Sequence, residues 1–381
     1  MLNLFKRKPA GPRPNIVFVL LDQFRHDQRD IHPVFARLAA RGTLFSHAIT
    51  YAPYTLGSMH ATFTGLYGRH SGVDAYTKSD QFDRANVFTL PQYLQQAGYH
   101  TRGYTFSKIL VPHSGWDSLK IVPEDEETGV LASQQAELDA AFAQPKPFFA
   151  YLHYGEIHHV VVKNVLRKYD PWAAEYFDNR ERNLTQYREY AKDAGDHLAA
   201  LVDAIDRHDP DRRTVIIVMA DHGGGVGEKP GEKAYGVFAY DYSIRTWMYL
   251  VAPGLLPEGR EVATQVRTVD LLPTVIDMLQ VEPSKKHKPL SGTSMLPIVR
   301  GEETAHRLAF TETGGVEGPN PSPDHANVKA VRDGRWKLIY NSTTNHFELY
   351  DLEADPAETK NLYALEPAKA RELWAKMADH L

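Results

Sequence analysis

Asp22 and the pair Asp221-His222 are the residues whose types point most directly to chemistry. Two carboxylates and an imidazole brought together make a mixed oxygen and nitrogen donor set for one divalent cation. Such a set suits Zn, Mn, Mg or Ca in different proportions, so residue type alone leaves the metal open. Each cluster ends an apolar run. Asn15-Ile-Val-Phe-Val-Leu-Leu21 precedes Asp22, and Thr214-Val-Ile-Ile-Val-Met-Ala220 precedes Asp221. Runs of this kind read as parallel strands buried on both faces, and open α/β sheets bind ligands beyond the carboxyl ends of their strands. A plainer reading makes the two aspartates helix caps and His222 a turn residue. Gly223-Gly224-Gly225 argues against a simple cap, because glycine lets backbone approach a ligand closely. A histidine tract, His153-Tyr-Gly-Glu156-Ile-His158-His159, follows a third apolar run that starts at Pro147, and it could help to hold a second metal.

The elements that must position these groups alternate along the chain. After the first strand, Val34 to Arg41 has helical spacing and is closed by Gly42. Thr43 to Ile49 reads as a strand, Ser58 to Thr64 as a helix ended by Gly65, and Thr89 to Ala97 as a helix closed by Gly98. Thr101 to Phe106 and Pro147 to His153 are strands. Leu184 to His208 is helical and leads into the strand at 214–220. Arg245 to Val251 is a strand and Val269 to Leu279 a helix. Such alternation implies a mostly parallel sheet covered on both faces. Beyond Gly301 the pattern changes. Ala330 to Tyr340 reads as a hairpin turning at Asp333-Gly334, Phe347 to Asp351 as a short strand, and Pro367 to His380 as a last helix. The expected organisation is a flexible tip at 1–13, a catalytic domain at 14–301 and an α+β subdomain at 302–381.

The 381 residues suffice for a large α/β domain with a smaller one. With 43 basic against 48 acidic residues the charge is −5, which gives no expectation of a nucleic-acid surface. The chain has no cysteine, so disulfides, thiolate metal sites and a cysteine nucleophile are excluded. Met1 to Pro9 shows no apolar leader, and no run is long enough to span a bilayer, so the expected setting is cytoplasmic.

The colinear set of segments resembles the sulfatase family of the alkaline phosphatase superfamily. Pro14-Asn15-Ile16-Val17 to Asp22 is similar to its opening metal strand, and Thr64-Gly65 to Val73 to the segment closing its nucleophile helix. Gly98 to Asp117, Phe149 to His158, Ala220-Asp221-His222-Gly223, Val269 to Thr274, Ser291 to Pro297 and Leu349 to Leu362 resemble further family stretches. The resemblance implies an α/β/α sandwich with a mostly parallel central sheet and a small C-terminal antiparallel subdomain. It implies one divalent metal ion held by Asp22, Asp221 and His222. Gln23 stands where many members carry a second acid, and its oxygen is an uncharged candidate ligand.

The resemblance also places Thr55 where sulfatases carry the cysteine or serine matured to formylglycine. Threonine cannot become that aldehyde, but its hydroxyl can act directly if a metal lowers its pKa. As a plainer role, Thr55 would simply open a helix. The family arginine four residues on is Met59, with Ser58 and His60 as partial substitutes. Lys108 matches the lysine that binds the anionic ester oxygen, and Leu110 replaces a histidine, with His113 nearby. His158 matches the histidine on the leaving group, and His153 would orient substrate. Lys233 is a candidate for a second family lysine.

The expected function is metal-dependent cleavage of phosphate, phosphodiester or phosphonate esters through Thr55. The alternatives are a sulfuric ester hydrolase with a non-formylglycine nucleophile, a phospho-group transferase of the same fold, and a non-catalytic binding protein. The expected partner is a small anionic ester, with no nucleic acid and no integral membrane segment; a homo-oligomer is compatible with the sequence.

Overall fold

The computed structural model describes residues 13–124, 126 and 129–380. Residues 1–12, most of the expected flexible tip, lie outside them. In chain order the elements that build the site are β1 (Ile16–Leu21), α1 (Pro33–Arg41), β2 (Thr43–Ile49), α2 (Thr55–Thr64), α3 (Leu90–Gln96), β3 (His100–Thr105), β4 (Ser118–Ile121), α4 (Val130–Phe142), β5 (Phe148–Tyr154), α5 (Glu156–Val161), α6 (Arg180–His208), β6 (Val215–Met219), β7 (Arg245–Val251), β8 (Arg260–Val262), β9 (Val266–Arg267) and α7 (Leu271–Met278). A second unit follows: β10 (Ala309–Thr313), β11 (Val328–Asp333), β12 (Trp336–Asn341), β13 (His346–Asp351) and α8 (Pro367–His380).

The large sheet runs β4-β3-β5-β1-β6-β7-β2-β8, with β9 also paired to β2. β1 pairs in parallel with β5 on one side and β6 on the other. β7 alone runs opposite, antiparallel to both β6 and β2. The sheet is therefore mostly parallel, and β7 starts at the edge where β1 and β6 end.

All six residues of β1 are fully buried, as an apolar run covered on both faces requires. Val17, Val19 and Leu21 pack with Leu38 of α1, Leu138 of α4 and Leu198, Leu201 and Ile205 of α6. Ile16, Phe18 and Leu20 pack with Phe63 of α2, Leu94 of α3 and Val275 of α7. Each buried side chain of this size contributes roughly 1.5–3 kcal/mol before the entropy of ordering it.

Two helix starts are legible as chemistry. His32 Nδ1 accepts from Val34 N–H at 3.1 Å ahead of Pro33, and Thr89 forms a reciprocal capping box with Gln92. α2 begins at Thr55, three residues earlier than the sequence reading, and its N-cap Tyr54 makes no side-chain cap. Its first N–H groups are therefore left without a side-chain cap.

The small sheet is antiparallel in the order β10-β11-β12-β13, with Leu373 and Met377 of α8 packed on Val331, Leu338 and Leu349. The β11–β12 register pairs Asp333 with Trp336, so the two-residue turn is Gly334-Arg335, one position beyond the expected Asp333-Gly334. The reason is the left-handed φ of 68° at Gly334, which places glycine first in the turn. A buried ion cluster joins the two sheets. Asp241 accepts from Arg332 at 2.6 Å and Lys337 at 2.9 Å, and Lys337 also pairs with Glu358 at 2.5 Å. Asp241→Asn strips the counter-charge from two buried cations. It should cost about 3–5 kcal/mol, read as a lowered urea midpoint with unchanged slope; a cost under about 1 kcal/mol would contradict this account.

Two buried histidines make stability depend on pH. Burial pushes His60 and His197 down to about 4. His60 is locked edge-on to Phe82, and His197 packs on Tyr154 and meets Gln134 Oε1 at 3.0 Å. The unfolded chain binds their protons more readily, so their contribution is full above about pH 6.5 and is lost as pH falls toward 4. Each group should cost about 1.4 kcal/mol per pH unit in that window. Denaturation at about pH 7.5 and 5.5 checks this, with His197→Gln flattening the dependence.

Candidate active site

Three strand ends converge at one edge. Asp22 follows β1, His153 is the next-to-last residue of β5, and Asp221-His222 lie just beyond β6. Thr55 comes from the first position of α2. All five are buried. Thr55 Oγ1 donates to Asp22 Oδ2 at 3.1 Å and lies 3.4 Å from His222 Nε2. His153 Nε2 lies 3.1 Å from the same Asp22 oxygen. One ligand atom each from Asp22, Asp221 and His222 fall within 4.8 Å of one another.

The donor set fits a cation on three independent grounds. Asp22 Oδ1, Asp221 Oδ2 and Gln23 Oε1 are buried and have no hydrogen-bond partner. Orphaned acceptors of that kind are costly and call for an ion or water. His222 Nδ1 lies 2.7 Å from the Gly223 carbonyl oxygen, to which it donates. That tautomer turns the Nε2 lone pair toward Asp22 Oδ1 at 3.6 Å and Asp221 Oδ2 at 3.5 Å, the orientation of a metal-binding histidine. Burial, then the charge of Asp221, pushes the Asp22 carboxyl well above the usual range, with His222 and Thr55 acting in the opposite sense. A divalent ion would relieve that repulsion.

The surrounding backbone is shaped to hold this set. Gly223 has its backbone so close to Tyr242 that a Cβ would meet the Tyr242 oxygen at 2.1 Å. Gln23 adopts φ 59°, a left-handed conformation unusual for a side-chain-bearing residue, and its N–H donates to Asp221 Oδ1 at 3.2 Å. Its carbonyl accepts from Tyr187 at 2.6 Å. Such strain, of order 1–3 kcal/mol, persists where surrounding contacts over-determine it. Ser58 Oγ donates to the Asp221 carbonyl at 2.9 Å, which fixes the β6 end to α2.

The remaining sequence candidates separate. His153 is in the cluster, with burial lowering it to about 3 and Thr105 Oγ1 3.1 Å from Nδ1. His158 stands beside the cluster on α5. Its ring stacks on Phe106 at 5.6 Å and against Tyr235 at 5.3 Å, and burial, then His159, lowers it to about 3. Lys108 is exposed and joins no hydrogen bond or ion pair with Asp22, Thr55, Asp221 or His222. It lines a separate cavity of about 180 Å³ with His60, Arg84 and His113. Met59 is buried in the core among Phe18, Phe63 and Leu94. Lys233 is occupied elsewhere, since its Nζ donates to the carbonyls of Leu166 at 2.9 Å and Tyr169 at 2.6 Å.

The sequence offers Trp172, Tyr176 and Phe177 as an aromatic cover, but Trp172 is exposed, Tyr176 packs on Phe177 and donates to the Lys233 carbonyl, and other aromatic residues lie against the site histidines. Tyr235 lies against His222 at 5.2 Å as well as against His158, and with Tyr54 and Tyr76 it lines a small outer cavity. Phe106 flanks His153 at 4.6 Å. The only local signal was the aromatic content of 235–242, which reads equally as packing.

The Sulfatase family description matches residues 14–281. The chain belongs to the sulfatase family. A further description, N-sulphoglucosamine sulphohydrolase, C-terminal, matches residues 235–381. Among curated relatives, a Delta 4,5-hexuronate-2-O-sulfatase of Bacteroides thetaiotaomicron is 28% identical over 49% of this chain and 38% of its own length. A choline-sulfatase of Rhizobium meliloti is 25% identical over 49% of this chain and 34% of its own. The aligned stretches thus span little more than a third of those two relatives. An arylsulfatase K of Xenopus laevis is 21% identical over 97% of this chain and 82% of its own. Among solved structures, a 2-O GAG sulfatase superposes with TM-score 0.75 at 20% identity, covering 97% of this chain and 92% of the other. The phosphonate monoester hydrolase of Agrobacterium radiobacter gives 0.74 at 18%, covering 97% and 96%. Both share the α/β fold with its large, mostly parallel sheet.

Proposed function

We propose that this sulfatase-family chain is a metal-dependent hydrolase that cleaves phosphate, phosphodiester or phosphonate esters with Thr55 as nucleophile. The observation that carries the reading is the setting of Thr55. Its hydroxyl is buried, opens α2, hydrogen-bonds Asp22 and sits 3.4 Å from His222 Nε2, in a chain without cysteine. Asp22, Asp221, His222 and the Gln23 oxygen would hold one divalent ion, which would lower the hydroxyl's pKa and offset charge on the ester oxygens.

The residues supply the rest. The Thr55 hydrogen faces Asp22 Oδ2, which leaves the oxygen lone pairs for in-line attack at phosphorus. The Thr55 proton passes to Asp22 Oδ2 as the Thr55 O–P bond forms and the ester P–O bond breaks, and the leaving oxygen takes a proton from solvent. Water then attacks phosphorus in a second in-line step; the Thr55 O–P bond breaks, the Thr55 oxygen regains the proton from Asp22, and the proton of the attacking water is released to solvent. The unpaired N–H groups at the start of α2 favour negative charge on Thr55. His153, hydrogen-bonded between Thr105 and Asp22, keeps Asp22 oriented. His158, beside the cluster, would donate a hydrogen bond from its neutral ring to the leaving oxygen. Phe106 and Tyr235 exclude water around it.

A second reading, sulfate-ester cleavage through the same threonine, is favoured by the sulfatase names of the curated relatives. The two are separated by turnover of chromogenic phosphate, phosphodiester, phosphonate and sulfate esters with Zn, Mn, Mg or Ca. The expected result is highest kcat/KM on a phosphorus ester. Turnover of the sulfate ester alone would reverse the order of the two readings.

A further inference from the structure

A cavity of about 290 Å³ lies at the seam between the two sheets, and Asp22, Thr55, Asp221 and His222 do not line it. The large sheet contributes His47 from β2 and Arg245 from the start of β7, with His26 from the start of the short 3-10 helix His26–Ile31. The small unit contributes Arg332 from β11, Arg335 from its turn, and His306. Six cationic or potentially cationic side chains thus meet in one opening against two acids, Asp241 and Glu353.

The acids are already in use. Asp241 is held by Arg332 at 2.6 Å and Lys337 at 2.9 Å. Glu353 lies 3.7 Å from Arg335, which also pairs with Asp351. Arg245 is in a different position. Its guanidinium has no hydrogen bond or ion pair among the described residues, and its Nε is shut off from solvent without a partner. Arg245 is partly buried; burial lowers its pKa, the charge of Asp241 acts in the opposite sense without a direct ion pair, and a cation so placed gains from an arriving counter-charge. The field it creates is visible on its neighbours. Burial, then Arg332 and Arg245, lowers His47 to about 2, and burial, then Arg245, lowers His26 to about 3. Both rings therefore stay neutral near pH 7, and an anion entering the cavity would lower the field that keeps them so.

We propose that this seam cavity is a second anion site, separate from the metal centre, which takes the phosphate or sulfate group of a small molecule on Arg245. Guanidinium suits such tetrahedral oxyanions because its planar fork offers paired N–H donors. Arg335, about half exposed at the rim, supplies a second cation at the entrance. The volume lies near the lower end for small-molecule sites, so the group would arrive attached to a small carrier. A ligand there touches β2, β7 and β11 at once and ties the small unit to the large sheet.

The test is calorimetric titration of the metal-loaded protein with inorganic phosphate and, separately, inorganic sulfate. Wild type, Arg245→Gln, Arg335→Gln and Asp221→Asn are compared at low salt. Arg245→Gln should weaken one binding event at least tenfold, with ester turnover in anion-free buffer within twofold of wild type. Arg335→Gln, on an exposed side chain that the fold tolerates, should weaken the same event about threefold or more. Asp221→Asn should leave that event in place. The arm with the tighter binding tells phosphate from sulfate as the preferred group. Unchanged affinity for both anions in Arg245→Gln would overturn the proposal, as would loss of all anion binding in Asp221→Asn. If Arg245→Gln does not fold, unchanged affinity in Arg335→Gln overturns it equally.

Discussion

Thr55→Ala is expected to lower kcat on the best ester by about 10⁴-fold or more, while the protein keeps its fold and its metal. The side chain is small and sits at the first position of α2, where alanine is well tolerated, so stability should change by less than about 1 kcal/mol. Thr55→Ser keeps the hydroxyl and should retain turnover within about tenfold. The pair of variants separates a nucleophile from a helix-start threonine. Rapid-quench detection of a covalently bound phosphoryl group in wild type and its absence in Thr55→Ala gives an independent reading. Full turnover by Thr55→Ala would refute the proposed chemistry.

Removing the metal should have the second large effect, and it should reverse the sign of one mutation. With cation a thousandfold above its Kd, the bound ion adds about 4 kcal/mol of stability, which chelation would remove. In the chelated protein Asp22 and Asp221 oppose each other inside the sheet edge, as the raised carboxyl of Asp22 reflects. Asp221→Asn keeps an oxygen to accept from the Gln23 and His222 N–H groups but removes one charge. The chelated variant should therefore be more stable than chelated wild type. In the presence of metal the order should invert, because affinity falls by at least about 100-fold, more than the loss of an outer partner would cause. Thermal melts of both proteins with and without chelator test this. Parallel shifts in the two proteins would rule out Asp221 as a ligand.

The positions of Asp22 and Asp221 were legible because β1 and β6 are buried on both faces, which writes them as unbroken apolar runs with a polar stop. The direction of β7 was not. Arg245-Thr-Trp-Met-Tyr-Leu-Val251 reads the same whichever way it points. Direction was set by the 223–244 connection, which has no crossover helix and so returns to the edge it left. Thr55 was reachable only by counting along a family pattern, and its partners became visible only once α2 and β1 were placed together. Lys233 reads as a free cation because backbone carbonyl acceptors leave no trace in residue types. The position of Tyr235 over His158 and the seam cavity were not legible for a related reason: each brings together segments that lie far apart in the chain.

The ion cluster at the seam bears on whether the two units can live apart. Asp241 lies inside the large unit, yet both of its cations, Arg332 and Lys337, belong to the small one. Two residues on, the Ser243 carbonyl accepts the Gly223 N–H at 2.8 Å and so steadies the loop that carries His222. Truncation after residue 301 would leave an uncompensated acid directly behind that loop. The large unit is therefore expected to be an incomplete enzyme by itself. Recombining the small unit with a different sulfatase-fold partner should succeed only where the acid and its two cations travel together.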